Sequence, residues 1–123
     1  MAPRLRPDLQ RLLPLKPLVF EILLALAGGP RHGWAIVRAL QERLPGARIL
    51  PGHFYRTLSR TLDDRLIEDA RPPNGSAREA DERRRYFRLT ALGEQVAAAE
   101  ARRLEALVAE SRAKRLLSSR SRS

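Results

Sequence analysis

Cysteine is absent from the 123 residues, so the chain has neither a disulfide frame nor a thiolate zinc site, and a reducing compartment is permitted. Long apolar runs are absent too. No stretch approaches the roughly 20 residues needed to span a bilayer, and Met-Ala-Pro-Arg-Leu-Arg-Pro-Asp at the start lacks the apolar segment of a secretory signal. Cytoplasm is the expected compartment, with no membrane partner. The catalytic vocabulary is equally thin. There is no cysteine nucleophile and no glycine-rich phosphate loop. Ser59 and Ser76 have no histidine at readable spacing, and Asp63-Asp64 reads as the polar end of a helix. Two histidines, His32 and His53, without a third soft donor do not make a metal site. The expectation is a protein that binds and does not catalyse, with no cofactor and no metal.

The chain carries an excess of positive charge, +10 at pH 7. Residues 1–16 contribute +3, from Arg4, Arg6, Arg11 and Lys16 against Asp8, and residues 112–123 contribute +5, from Arg112, Lys114, Arg115, Arg120 and Arg122. The remaining +2 is spread over 17–111. A balance of this kind favours a polyanionic partner, nucleic acid before an anionic membrane surface. The length suits one domain with an appendage.

Residues 1–16, with three prolines among alternating basic and apolar positions, read as an irregular basic arm with a helical turn near Leu9–Leu13. From Pro17 a nearly continuous apolar run to Ala27 closes on Gly28-Gly29-Pro30, the pattern of a buried helix with a glycine stop. Ile36, Val37, Leu40 and Leu44 then recur at helical spacing and end at Pro45-Gly46, giving a second, amphipathic helix opened by His32. Arg48-Ile49-Leu50 is a candidate short strand.

The third helix starts at Pro51, a residue suited to a first turn whose N–H groups lack partners, with Gly52 allowing another backbone to come close. Phe54, Leu58 and Leu62 form its apolar stripe; His53, Arg56, Thr57 and Arg60 fall on the other faces. Leu66–Ala70 and Arg83–Leu89 read as two strands joined by the turn-rich segment 71–82. Phe87 and Leu89 share one face, and Arg84, Tyr86 and Arg88 the other. Thr90 is a candidate N-cap for a helix from about Ala91 to about Leu117, striped by Leu92, Val96, Ala97, Ala101, Leu104, Leu107 and Val108. So small a core cannot cover that whole stripe, so Leu92, Val96, Leu104, Leu107 and Val108 are expected to pair with a second copy. Residues 118–123 have the composition of a basic disordered tail.

Helix, helix, short strand, helix and basic hairpin is the order of a winged helix-turn-helix, here mainly α with a small β-hairpin wing and a long C-terminal dimerisation helix. The third helix would enter the major groove, Arg56 and Arg60 meeting phosphates or a guanine edge and Tyr55 a phosphate or sugar. Arg84, Arg85 and Arg88 would make a minor-groove or phosphate contact from the wing. The domain reading is a basic arm (1–16), a winged helix domain (17–90), a dimerisation helix (91–117) and a tail (118–123).

Four separated motifs narrow this further. His32-Gly33-Trp34-Ala35-Ile36, Pro51-Gly52-His53-Phe54-Tyr55-Arg56, Leu66-Ile67 and Arg84-Arg85-Tyr86-Phe87-Arg88-Leu89-Thr90-Ala91-Leu92-Gly93, in this order, resemble the PadR family of bacterial transcriptional regulators. The resemblance covers about residues 18 to 95. It implies a dimeric repressor of double-stranded DNA whose subunits pair through the C-terminal helix, with Gly52, His53, Tyr55 and Arg56 facing DNA. Family effectors are small aromatic or hydrophobic compounds, so release by such a compound is part of what the resemblance implies. The chain departs from the family pattern at His53 (usually Thr), Trp34 (usually Tyr), Leu50 (often Ser) and Arg65 (usually Gly). Trp34 reads as a core or interface packing residue rather than a platform for stacking a ligand. The competing reading is a sequence-independent nucleic-acid binder or basic interaction module, separated from a regulator by comparing affinity for specific and random duplex.

Overall fold

Helix formation follows the apolar spacing and the caps. The computed structural model describes residues 7–72 and 84–118. In chain order these form α1 (Pro7–Arg11), α2 (Pro17–Leu26), β1 (Arg31–His32), α3 (Gly33–Arg43), α4 (Pro51–Asp63), β2 (Ile67–Ala70), β3 (Tyr86–Leu89) and α5 (Ala91–Ala113). The architecture is mostly helical with a three-stranded antiparallel sheet, order β1-β3-β2, as the element order implied. Helix α2 is the spine. Ile22, Leu23 and Leu26 are buried against α3, α4, α5 and β3, and Gly29 takes the positive φ of 136° that ends the segment.

Three local expectations change. The edge strand is Arg31–His32, paired with Phe87 and Tyr86, and Arg48–Leu50 stays irregular. Two residues after a proline carry no periodicity, so β1 has no readable signal. Tyr86 is buried although strand alternation assigns it to the polar face. As β3 is the central strand, His32 on β1 covers that face, its ring 5.3 Å from the Tyr86 ring at 87°. The segment taken for an irregular arm places Leu9 and Leu15 in the core. It is tied down by Glu100 of α5, a buried carboxylate that accepts a hydrogen bond from the backbone of Leu15 and two from Arg103, at 2.6 and 2.8 Å.

The end of α4 and the start of α5 meet in one junction. Arg65, after the last turn of α4, adopts φ 61°, the left-handed conformation that a glycine would take at a cost lower by about 1 kcal/mol. Leu66 N–H then donates back to the Thr61 carbonyl at 3.1 Å, closing the helix. Thr90 Oγ1 donates to the Arg65 carbonyl at 2.6 Å and accepts from Gly93 N–H at 2.9 Å, so one hydroxyl caps α5 and holds the turn ending α4. The Thr90 N–H donates to the Leu66 carbonyl at 3.1 Å. A Cβ built on Gly93 would lie 1.9 Å from that same carbonyl oxygen, far inside any real contact. Only glycine allows the approach.

Gly93→Ala is therefore expected to force the helix start off the sheet and cost about 2–3 kcal/mol in urea unfolding, at the upper end of overpacking. The Arg103 guanidinium lowers the Glu100 carboxyl below its ordinary value of 4.5, against the opposing effect of burial. A lowered folded-state value means that the contribution is present above about 4.5 and is lost as pH falls through the folded value. Glu100→Gln should reduce stability at neutral pH and flatten its decline on acidification below about pH 4.5, read from thermal unfolding across pH.

Candidate nucleic-acid interface

The face built by α3, α4 and the β2–β3 hairpin carries most of the residues singled out from the sequence. In α4, Phe54 and Leu58 are buried and Leu62 is half-buried, which points His53, Arg56 and Arg60 outward. The buried set also contains Thr61, whose hydroxyl is satisfied by donating to the Thr57 carbonyl at 2.7 Å. A β-branched residue that bonds its own helix can occupy a core position that the apolar periodicity skips.

Pro51 is the first residue of α4, and Leu50, at the N-cap, supplies no side-chain hydrogen bond. The first turn of α4 therefore carries its partial positive charge without a side-chain cap. A Cβ built on Gly52 would meet the Arg56 guanidinium at 3.2 Å, and no second backbone approaches Gly52 among the described residues. Tyr55 is half-exposed. Its ring edge lies 3.3 Å from a Cβ built on Gly33, and it stands edge-to-face with Phe54 at 5.0 Å. It therefore braces the start of α3 while staying half-exposed.

The wing is more neutral than its arginines suggest. Arg85 binds Asp69 with two hydrogen bonds, 2.5 and 3.0 Å, and lies 5.2 Å over the Phe87 ring. Hydrogen bonding to Arg85 holds the Asp69 carboxyl below its ordinary value. Arg88 pairs with Glu68, directly opposite in register, at 2.8 Å. Arg84 has no carboxylate partner among the described residues; its guanidinium lies 3.0 Å from His32 Nε2. His32 Nδ1 accepts from the Ala35 N–H at 3.1 Å and caps α3, the helix-start role expected of it. Arg83 and the acids Glu79, Asp81 and Glu82 lie outside the described residues.

Trp34 is 53% exposed, so it is not a packing residue within the chain. It borders a groove of about 410 Å³ formed with Tyr55, Ser59, Leu62 and Arg84. The described residues contain no group of three or more metal-ligating side chains and no helix long and apolar enough to cross a membrane.

The stripe on α5 divides. Val96 is fully buried and Leu92 packs beside it in the chain's own core, so neither faces outward to a partner. α5 crosses α2 and β3 in this stretch, and those elements cover it. Leu107 and Val108 remain exposed, and Leu104 is half-buried. The helix stops at Ala113, short of the expected Leu117, because Arg115 turns left-handed (φ 62°) and Leu116 N–H donates to the Ser111 carbonyl at 2.8 Å.

The transcriptional regulator PadR-like family matches residues 22–99, most of the chain and the whole of the face just described. The protein belongs to the PadR-like family. A search of curated proteins returns no match. Among solved structures, a PadR family transcription regulator from a hypervirulent Clostridium difficile is similar at 20% identity and TM-score 0.64, over 79% of this chain and 96% of that one. A PadR-like transcription factor from Bacteroides fragilis matches at 22% identity and TM-score 0.61, over 77% and 86%. ZitR from Lactococcus lactis gives 22% and 0.61, over 85% and 64%. At these identities the likeness shows the shared fold. With the family established, the chain is a DNA-binding transcriptional regulator and not an enzyme.

On the expectation that Arg85 contacts phosphate, Asp69 would compete for it, and Asp69→Asn should tighten binding to any duplex and steepen the fall of log affinity with log salt by about one unit. Fluorescence anisotropy at several salt concentrations measures both.

Proposed function

We propose that this PadR-like protein is a repressor that binds a pseudo-palindromic operator as a homodimer, each α4 lying in the major groove and each wing flanking it. The observation that carries this reading is the exposed polar face of α4, with its uncapped first turn, beside Arg84, which has no carboxylate partner among the described residues. Gly52 and His53 sit at the helix start, where the chain approaches base edges. Tyr55 and Arg60 reach phosphate, and Arg56 reaches phosphate or a guanine. His53, replacing the usual threonine, offers ring nitrogens to a base edge, so its operator differs from one read by a threonine.

Dimerisation is proposed through the outer half of α5. Leu107 and Val108, 52% and 42% exposed, are the large apolar side chains that α5 leaves exposed, and Leu104 borders them. A second copy would cover them and set two α4 helices about one DNA turn, roughly 34 Å, apart. Release by a small aromatic or hydrophobic effector and a cytoplasmic location complete the reading. No residue here designates the effector's site.

Purified protein incubated with fragments of its source genome should select a defined operator, bound orders of magnitude more tightly than random duplex. Equal affinity for both would establish the alternative, a sequence-independent binder. Tyr55→Phe keeps the packing on Gly33 and should weaken operator binding about tenfold, the scale of one hydrogen bond to a charged group. Leu107→Glu should halve the mass seen by light scattering and reduce operator affinity without lowering helix content.

A further inference from the structure

We propose that Leu50 is a specificity-determining residue that packs on the 5-methyl group of a thymine in the major groove, beside a backbone donor for that base's O4. The inference rests on the operator-binding reading above and names the base at which the start of α4 discriminates. Leu50 is 55% exposed and occupies the N-cap of α4, a position where Ser, Thr, Asp or Asn ordinarily gives an oxygen to the free N–H groups of the first turn. A single exposed leucine needs no explanation on most surfaces. At this position it puts an apolar branch where an acceptor would stand, so the first turn keeps its donors and sets them next to apolar surface.

The backbone around Leu50 is already fixed. Pro51 follows it and restricts it to extended geometry, φ −77° and ψ 124°. Its carbonyl accepts from the Phe54 N–H at 2.9 Å, and Ile49 before it packs against the core. Leu50 is thus held from both sides while its own side chain stays in solvent, so contact with a base orders little that is not ordered already. Pro51 has no N–H, and Leu50 gives no side-chain acceptor to the N–H groups of Gly52 and His53. Gly52 has no side chain of its own to shield them. In the major groove guanine shows two acceptors, adenine an acceptor and a donor, and cytosine a donor; thymine alone shows an acceptor, O4, with a methyl group beside it. A donor beside apolar surface is the complement of that thymine edge. Cytosine presents a donor to the same N–H groups and is rejected.

Replacing thymines of the selected operator one at a time by deoxyuridine removes the methyl group and nothing else. The wild-type protein should lose about fourfold in affinity at one thymine per half-site, the scale of one buried methyl group. Leu50→Ala should bind the thymine and uracil duplexes equally, and Leu50→Met should keep part of the discrimination. Exchange of that thymine for 5-methylcytosine, paired with guanine, keeps the methyl group but puts a donor in place of O4, and should weaken wild-type binding more than uracil does. Each ratio is taken within one protein, so partial unfolding of a variant cancels. No uracil effect at any thymine, or a uracil effect equal in wild type and Leu50→Ala, overturns the inference while leaving operator binding intact. A lowered mass of Leu50→Ala in light scattering with an unchanged thymine-to-uracil ratio also overturns it, assigning Leu50 to a contact between subunits. Failure of the wild type to select any operator is a different result, because it removes the repressor reading and this inference with it.

Discussion

The Leu66 carbonyl is where the geometry of this protein is fixed. It accepts from the Thr90 N–H and lies where a Cβ on Gly93 would be, so α5 begins in direct backbone contact with the turn that ends α4. Thr90 adds a hydrogen bond to Arg65 and caps α5 with the same oxygen. The last turn of α4 and the first turn of α5 therefore cannot tilt independently without breaking hydrogen bonds or creating a backbone clash. A left-handed arginine at position 65 is tolerated because its carbonyl has a partner in Thr90, which offsets part of the strain.

That junction links two surfaces that would otherwise be separate. One is the polar face of α4, exposed because Phe54, Leu58 and Thr61 anchor its opposite side. The other is the outer half of α5, whose first half is committed to the core by Val96 and to the N-terminal segment by Glu100. In a homodimer, the angle between two α5 helices would be transmitted through Leu66 to the spacing of two α4 helices, with little compliance in between. Regulation by a change in that angle needs no movement inside either subunit.

Electrostatics on the face built by α3, α4 and the hairpin depends on pairing as much as on charge. The net +10 suggests a uniformly attractive surface, yet the acids of β2 hold two of the wing arginines. Such pairs are exposed and weak in water, so they contribute little to the stability of the fold while neutralising part of the surface charge.

The sequence by itself determined the helices, their caps and the family. Apolar spacing at Phe54, Leu58 and Leu62, proline at the first turn of α4 and threonine before α5 are local signals that act within a few residues, and the structure has them in those roles. The tertiary structure decided what local signals cannot encode. Strand β1 forms only because β3 lies beside it, and Tyr86 is buried only because His32 covers it. Val96 and Leu107 belong to one apolar stripe in the sequence, but only the first has α2 and β3 across from it. Which arginines are engaged was likewise decided by register, since Glu68 faces Arg88 and Asp69 reaches Arg85 across strands, 20 and 16 residues distant along the chain. Burial and pairing are relations between segments, and a periodicity within one segment carries no record of its neighbour.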